Sequence, residues 1–310
     1  MSRRTLIALF RAGVAAVVLV LLLDRFGTGP FARAADLISW PAIVIAFPVT
    51  LVATASCAMR WTWTARRLDL GLDNRAALAA YYRSLFLNQV LPGGVLGDVD
   101  RAVRHGTTEA AIARASRAVV WERLIGQVVL VAVSVVVLVA IPGSLQPVWR
   151  SAPAASRLVI ALVALVIAAI TIAGVRRRHG RQAHGWVRSD IQRLVVPGVL
   201  TPLALSAVAV LAHLVLLETA MRVTGVGLPP LAALPMLLVV LLASSLPLNL
   251  AGWGPREGAA AWVFAASGLD ASTGVTVAAV YGILSLLAAL PGGALMVLDA
   301  WPGRVRREAS

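Results

Sequence analysis

Polar residues are sparse along this chain, and long apolar runs are separated by short basic or Gly/Pro-rich breaks. A helix needs roughly 20 apolar residues to cross a bilayer. Six runs reach about that length: Thr5–Leu23, Leu37–Cys57, Ala118–Ile141, Arg157–Val175, Val195–Val223 and Ser272–Leu298. Two others, Ala76–Leu91 and Leu231–Leu250, run into breaks at Pro92-Gly93-Gly94 and Gly252-Trp253-Gly254-Pro255. The pattern predicts an all-α polytopic integral membrane protein, one transmembrane domain over residues 1–310. Composition agrees: 59% of residues are apolar and only 14% charged, against about 25% charged in a soluble domain. A cytosolic enzyme and a nucleic-acid-binding domain are excluded, and Cys57, the single cysteine, rules out a disulfide scaffold.

Charge sets the sides. All 28 basic residues are arginine, against 14 acidic residues. In a membrane protein such an excess marks cytoplasmic loops. With a cytoplasmic N-terminus, twenty of the 28 arginines fall on the inside: Arg3 and Arg4, nine from Arg60 to Arg117, six from Arg176 to Arg193, and Arg304, Arg306 and Arg307. Both termini are therefore expected in the cytoplasm of a cell-membrane protein, with an uncleaved first span.

Even parity follows from that orientation. Six full crossings satisfy it if both interrupted stretches re-enter on their own side; eight full crossings satisfy it equally. Re-entrant hairpins are the preferred reading, since bent backbone at membrane depth is tolerated when buried in protein or lining a watery cavity. One hairpin would return to the basic run near Arg101 and Arg104, the other through Ala259–Ser267. A repeat favours it. Ser84-Leu85-Phe86-Leu87-Asn88 and Ser245-Leu246-Pro247-Leu248-Asn249 match at four of five positions, 161 residues apart. The same offset carries Leu37–Cys57 onto Val195–Val223, and Ala118–Ile141 onto Ser272–Leu298. Two halves, 5–141 and 157–299, joined through a basic cytoplasmic linker at 176–194, would then form an inverted repeat, a plan in which substrate sites lie where discontinuous helices meet.

The breaks hold the candidate chemistry. The first reads Asn88-Gln89-Val90-Leu91-Pro92-Gly93-Gly94-Val95-Leu96-Gly97-Asp98-Val99-Asp100-Arg101-Ala102, the second Asn249-Leu250-Ala251-Gly252-Trp253-Gly254-Pro255-Arg256-Glu257-Gly258-Ala259. Gly and Pro stop a helix and permit close backbone approach, and the helix that restarts offers free N–H groups to an anion. Ionisable groups beside such breaks are costly in lipid and point to a site with a partner; solvated glycine loops are the plainer alternative. Asp98 and Arg101, three apart on a helix, can share a face. Arg256 and Glu257 are adjacent and are expected to find partners elsewhere.

These two stretches resemble the signature motifs of the lysylphosphatidylglycerol synthase transmembrane-region family, a flippase-like membrane domain. Asn88 through Ala102 follow its N-x-x-L-P-G-G-x-G-G-D-x-x-R-A motif, except that Leu96 stands at a usual Gly and Asp100 at a usual apolar position. Gly252, Gly254, Arg256, Glu257 and Gly258 match its G-x-G-x-R-E-G motif, and Glu122-Arg123-Leu124 is also similar. The resemblance covers nearly the whole chain. It implies a protein that translocates a polar or phosphate-bearing envelope lipid, in a stand-alone form without the soluble aminoacyltransferase domain. An intramembrane lipid-modifying enzyme, with Asp98 or Glu257 as general base, or a membrane subunit supporting a separate lipid-synthesising enzyme, are the alternatives. The expected partners are membrane lipids with anionic or zwitterionic headgroups, and neither nucleic acid, a cofactor nor a metal is expected. The headgroup site would comprise Asn88, Pro92, Gly93, Gly94, Gly97, Asp98, Arg101, Asn249, Gly252, Gly254, Arg256 and Glu257.

Other residues have two readings each. Glu218 and Arg222, four apart, form either a structural salt bridge or part of a lipid path. Glu122 and Arg123 point about 100° apart on a helix and either support the site or anchor at the interface by snorkelling. Trp61, Trp63 and Trp301 fall at predicted span ends, where aromatic belts are expected. No Walker motif or dinucleotide fingerprint is present, so an ATP-driven pump is not expected.

Overall fold

Proline in the first turn of a helix gives up only an N–H that has no intrahelical partner, and four helices here begin that way. The computed structural model describes residues 20, 23–24, 27–91, 94–105, 109–141, 184–195, 198–246 and 253–300. Its helices are α1 (Gly29–Asp36), α2 (Trp40–Arg67), α3 (Asn74–Val90), α4 (Leu96–Arg104) and α5 (Glu109–Ala140). They continue with α6 (His184–Val195), α7 (Leu200–Val223), α8 (Pro230–Ser244), α9 (Pro255–Ala266) and α10 (Ala271–Ala300). Four of them, α2, α5, α7 and α10, are long and apolar enough to cross a membrane. The fold is that of an all-α polytopic membrane protein. The expected spans Thr5–Leu23 and Arg157–Val175 lie wholly or almost wholly outside the described residues, as does the run Arg176–Arg181.

Two spans are longer than hydropathy indicates. α2 continues past Cys57 to Arg67, and α5 starts at Glu109, ahead of Ala118. Hydropathy ends a span at its first charges, but here those charges have internal partners. Arg60 pairs with Glu122, and Arg117 with Asp190. Along α2 the faces divide by size. Ala42, Ala46, Thr50, Ala53 and Thr54 are buried, while Val44, Phe47, Leu51 and Val52 are exposed on the lipid-facing side. Small residues let helices approach closely where apolar burial gives little driving force between them, and α2 packs most extensively on α7. The two run antiparallel. Arg67 donates to the Arg193 carbonyl just before α7 (3.2 Å), whereas Arg60 reaches Ser206 inside it (2.8 Å).

The helices beside the two breaks are shorter than the four spans. At 1.5 Å per residue, the 17 residues of α3 extend about 25 Å and the nine of α4 about 13 Å; α8 and α9, of 15 and 12 residues, extend about 22 and 18 Å. The hydrocarbon core measures about 30 Å. α4 folds back along α3: Arg101 lies over the Tyr81 ring, Asp98 faces Ser84, and Gly97 bonds Asn88. α8 and α9 likewise pack on one another. Exchanging α2 with α7, α3 with α8, α4 with α9 and α5 with α10 carries each substantial contact among these eight helices onto another, except α2–α7, which maps onto itself. For example, α3–α10 maps onto α5–α8, and α2–α10 onto α5–α7.

α10 is the central element, packed on α1, α2, α3, α7 and α9. Glycine permits this. A Cβ at Gly274 would meet the Ala260 carbonyl at 2.5 Å, and one at Gly292 would strike the Tyr82 carbonyl. Aspartates start two helices. Asp73 accepts the N–H groups of Arg75 (2.9 Å) and Ala76 (3.2 Å), which hold its carboxyl below the ordinary range. Asp270 is lowered by the Ser272 hydroxyl and by the Thr273 N–H at 2.8 Å. Within the basic linker expected at 176–194, α6 is helical. It is tied to α5 through Asp190, which accepts from Trp121 (3.1 Å) and pairs with Arg117 (3.2 Å).

Candidate functional site

The first break turns on Gly94, whose φ of +59° suits a residue without Cβ. Asn88 closes the turn, its Oδ1 accepting the Gly97 N–H at 2.9 Å. Gly97 itself lies against the Ser84 carbonyl with no room for a Cβ. That close seat carries Asp98 and Arg101 inward, with Arg101 wholly buried. Its guanidinium stacks on Tyr81 (4.0 Å) and Trp61 (4.8 Å), pairs with Asp98 at 2.5 Å, and lies 3.6 Å from Glu122. Trp61 is therefore a buried partner of a cation and not a belt residue.

Glu122 is the hub of this cluster. Fully buried, it accepts from Arg60 Nε (2.9 Å) and Nη2 and from the Tyr81 hydroxyl (2.9 Å). It does not snorkel to an interface. Its neighbour Arg123 points elsewhere and pairs with Asp98. Gly126, one turn from Glu122, leaves space for the Arg60 guanidinium, which would lie 2.7 Å from a Cβ there.

The second break ends in Gly254, with φ +130° and ψ −97°, a conformation essentially confined to glycine. Pro255 opens α9, and Glu257 reaches back so that its Oε2 accepts the Gly254 N–H at 2.7 Å, one half of a capping box, the other half being impossible for a glycine. Oε1 of the same carboxylate accepts from Arg256 Nε (2.8 Å) and Nη2 (2.6 Å). Arg256 and Glu257 thus do pair, contrary to the expectation from their adjacency. The reason is local: the carboxylate curls over the helix start, where the guanidinium can fold onto it. Arg256 also lies beside the rings of Trp253 and Tyr281 and over Gly282, which has no room for a Cβ. The Tyr281 hydroxyl bonds His213 of α7 at 3.1 Å.

Both breaks meet at one cavity of about 340 Å³. Asn88, Gln89 and Gly94 enter its wall from the first break, and Pro255 and Arg256 from the second. α5 adds Arg123 and Gln127, α7 adds Ser206 and His213, and α8 ends there with Ser244 and Ser245. Gln127 donates to Ser245 at 3.1 Å across the space. Gly97, Asp98, Arg101, Glu122, Gly254 and Glu257 are behind the wall, not on it. Pro92, Gly93, Asn249 and Gly252 lie outside the described residues. Glu218 and Arg222 pair with each other at 2.8 Å toward the Val223 end of α7, away from the cavity. Among the described residues no group of three His, Cys, Asp or Glu side chains is placed to hold a metal.

Arg60, Tyr81, Gln127, Ser206 and Tyr281 belong to the cavity without having been singled out in the sequence. Arg60 carried a signal, a cation in a helix-forming run beside Trp61, that the count of cytoplasmic arginines absorbed.

A family model described as the lysylphosphatidylglycerol synthase TM region matches residues 8–293. No curated protein and no solved structure matches the chain.

Proposed function

The chain belongs to the lysylphosphatidylglycerol synthase TM-region family, and on that premise we propose that it is a lipid translocase, a flippase-like transporter of a polar envelope lipid. One observation carries the reading. Two helix–break–helix segments bring the residues that flank their breaks to a single cavity lined by Arg60, Arg123 and Arg256. A transporter needs such a site between two bodies that can rock against each other. In our reading those bodies are two inverted halves. The antiparallel course of α2 and α7, and the exchange of contacts between the halves, support a two-fold axis in the membrane plane. An axis along the membrane normal would leave equivalent helices parallel. Both termini are then cytoplasmic, with the α3–α4 hairpin entering from inside and the α8–α9 hairpin from outside.

The enzymatic alternative is less well supported. A general base needs reach to the proton it removes, whereas Asp98 and Glu257 are each held by arginine and stand off the cavity wall. The test is transfer of a fluorescent lipid between leaflets of proteoliposomes. Arg256→Ala and Asp98→Asn, each of which leaves a buried partner charge and so costs some stability, are expected to abolish transfer measured per folded protein with oligomeric state unchanged, and Arg181→Ala to leave it near normal. Normal transfer by Arg256→Ala would make the motifs architectural and sink the assignment.

A further inference from the structure

The cavity wall is chemically one-sided. Among the described residues it holds three guanidinium groups and no carboxylate. Of the fourteen acidic residues, only Glu109 and Glu308 have side chains outside that description. Neither undescribed stretch of the two breaks, 92–93 or 247–252, contains an acid. The carboxylates closest to the site, Asp98, Glu122 and Glu257, are spent on arginines from behind. Each wall arginine pairs with one of these acids, and Arg101 behind the wall is the fourth cation against three anions, an excess of one positive charge in the cluster. A quaternary or primary ammonium entering the cavity would find no counter-ion. A phosphodiester, with one negative charge, would balance the excess, and guanidinium is well matched to phosphate oxygens.

The rest of the polar wall is neutral and built of donors and acceptors together. Asn88, Gln89, Gln127, Ser244 and Ser245 are amides and hydroxyls, the groups that recognise hydroxyls. Position along α7 separates two cation seats. Ser206 bonds Arg60, and seven residues on, His213 bonds Tyr281 beside Arg256, a rise of about 10 Å.

Resting on the translocase reading, we propose that this cavity selects a lipid whose headgroup is a phosphodiester-linked polyol bearing no cationic group, and that Arg60 is a binding residue for its phosphate. Zwitterionic and aminoacylated headgroups are disfavoured because their ammonium has no acid to meet. Arg60 and Arg256 are successive seats for the phosphate as it passes between the halves.

The experiment uses the full chain in nanodiscs and in proteoliposomes, with tail-labelled phosphatidylglycerol, phosphatidylethanolamine and lysylphosphatidylglycerol as probes. Phosphatidylglycerol is expected to bind at least tenfold more tightly than either of the others, and Arg60→Gln to reduce its binding at least tenfold. Should Arg60→Gln fail to fold, Gln127→Leu serves, with tail-labelled phosphatidic acid as a fourth probe. The unaltered chain is expected to prefer phosphatidylglycerol over phosphatidic acid through its hydroxyls, and Gln127→Leu, which keeps every charge, to erase that preference; a preference that persists overturns the polyol assignment. Equal binding of the three probes, or unchanged binding by a folded Arg60→Gln, overturns the proposal. Inorganic phosphate competing as well as the lipid would mean that the cavity takes the free ion, and also overturns it. Selective binding without leaflet transfer leaves this inference standing and defeats the translocase reading; transfer without headgroup preference does the reverse.

Discussion

Arg60 and Ser206, 146 positions apart, meet at 2.8 Å and so tie α2 to α7. The same guanidinium is bonded to Glu122 of α5. One side chain therefore senses the relative position of three long helices around the cavity. On the translocase proposal, a rocking motion that moves α2 against α7 must either carry this link or break it. Hydrogen bonds to charged groups are worth about 1.5–3 kcal/mol, enough to bias two states yet small enough to yield to a ligand. Ser206→Ala is expected to alter the rate of lipid transfer several-fold with a smaller loss of thermal stability in detergent than Glu122→Gln gives, because Arg60 keeps Glu122.

Glu122 is a different case, for it is the buried anion on which Arg60 and Arg101 both depend. Removing one member of a buried ionic group leaves charge uncompensated and costs about 3–5 kcal/mol. Glu122→Gln is expected to lower the melting temperature markedly and to reduce the yield of monodisperse protein. The same change at Glu218 is expected to be near neutral, since its partner Arg222 is mostly exposed. Equal melting temperatures for the two variants would contradict the hub role.

Glycines at the guanidinium seats give a subtler probe. A methyl at Gly126 would press on Arg60, and one at Gly282 on Arg256. Overpacking typically costs about 1–3 kcal/mol, but the yielding groups here are the ends of two flexible side chains. Gly126→Ala and Gly282→Ala are thus expected to fold, with a modest stability loss, and to transfer lipid slowly. A Gly274→Ala control presses on backbone at Ala260 and is expected to lose stability instead. Thermal melts and transfer assays on the three variants separate the outcomes.

The four described spans, the two breaks and the Asp98–Arg101 pair were legible because each rests on local rules: run length, Gly/Pro punctuation and i, i+3 spacing. Arg60 was not. It lies at the end of an apolar run among other arginines, where a solvated loop and a buried ion pair look alike, and its partner Glu122 is 62 residues away. Nor did spacing show that Glu257 folds back on Arg256, which depends on the unusual backbone at Gly254. Charge compensation over long sequence separations is a property of packing. No window along the chain contains it.

Orientation can be tested directly. In a Cys57→Ser background, single cysteines placed near Arg178 are expected to react with a membrane-impermeant thiol reagent only from the cytoplasmic side. Cysteines replacing Gly227, between α7 and α8, are expected to react only from outside. Labelling of the Arg178 region from outside would reverse the orientation and exchange the roles of the two hairpins.

Asn88 joins the architecture of the first hairpin to the chemistry of the cavity, so its variants can be made to report on each separately. Its Oδ1 is the acceptor for the Gly97 N–H at the start of α4. Asn88→Ala leaves that donor without its partner, at a cost of about 1–3 kcal/mol, and frees the hairpin tip; lower stability and slower transfer are expected together. Asn88→Asp keeps an acceptor oxygen in the same place, and a carboxylate strengthens the bond to the N–H, so the hairpin is expected to survive. It also places the first carboxylate on a wall that otherwise carries Arg60, Arg123 and Arg256. If the absence of acids is what excludes cationic headgroups, Asn88→Asp will narrow the preference for phosphatidylglycerol over lysylphosphatidylglycerol several-fold, and Asn88→Ala will not. A binding ratio for Asn88→Asp equal to that of the unaltered chain would show that selectivity does not come from the charge of this wall.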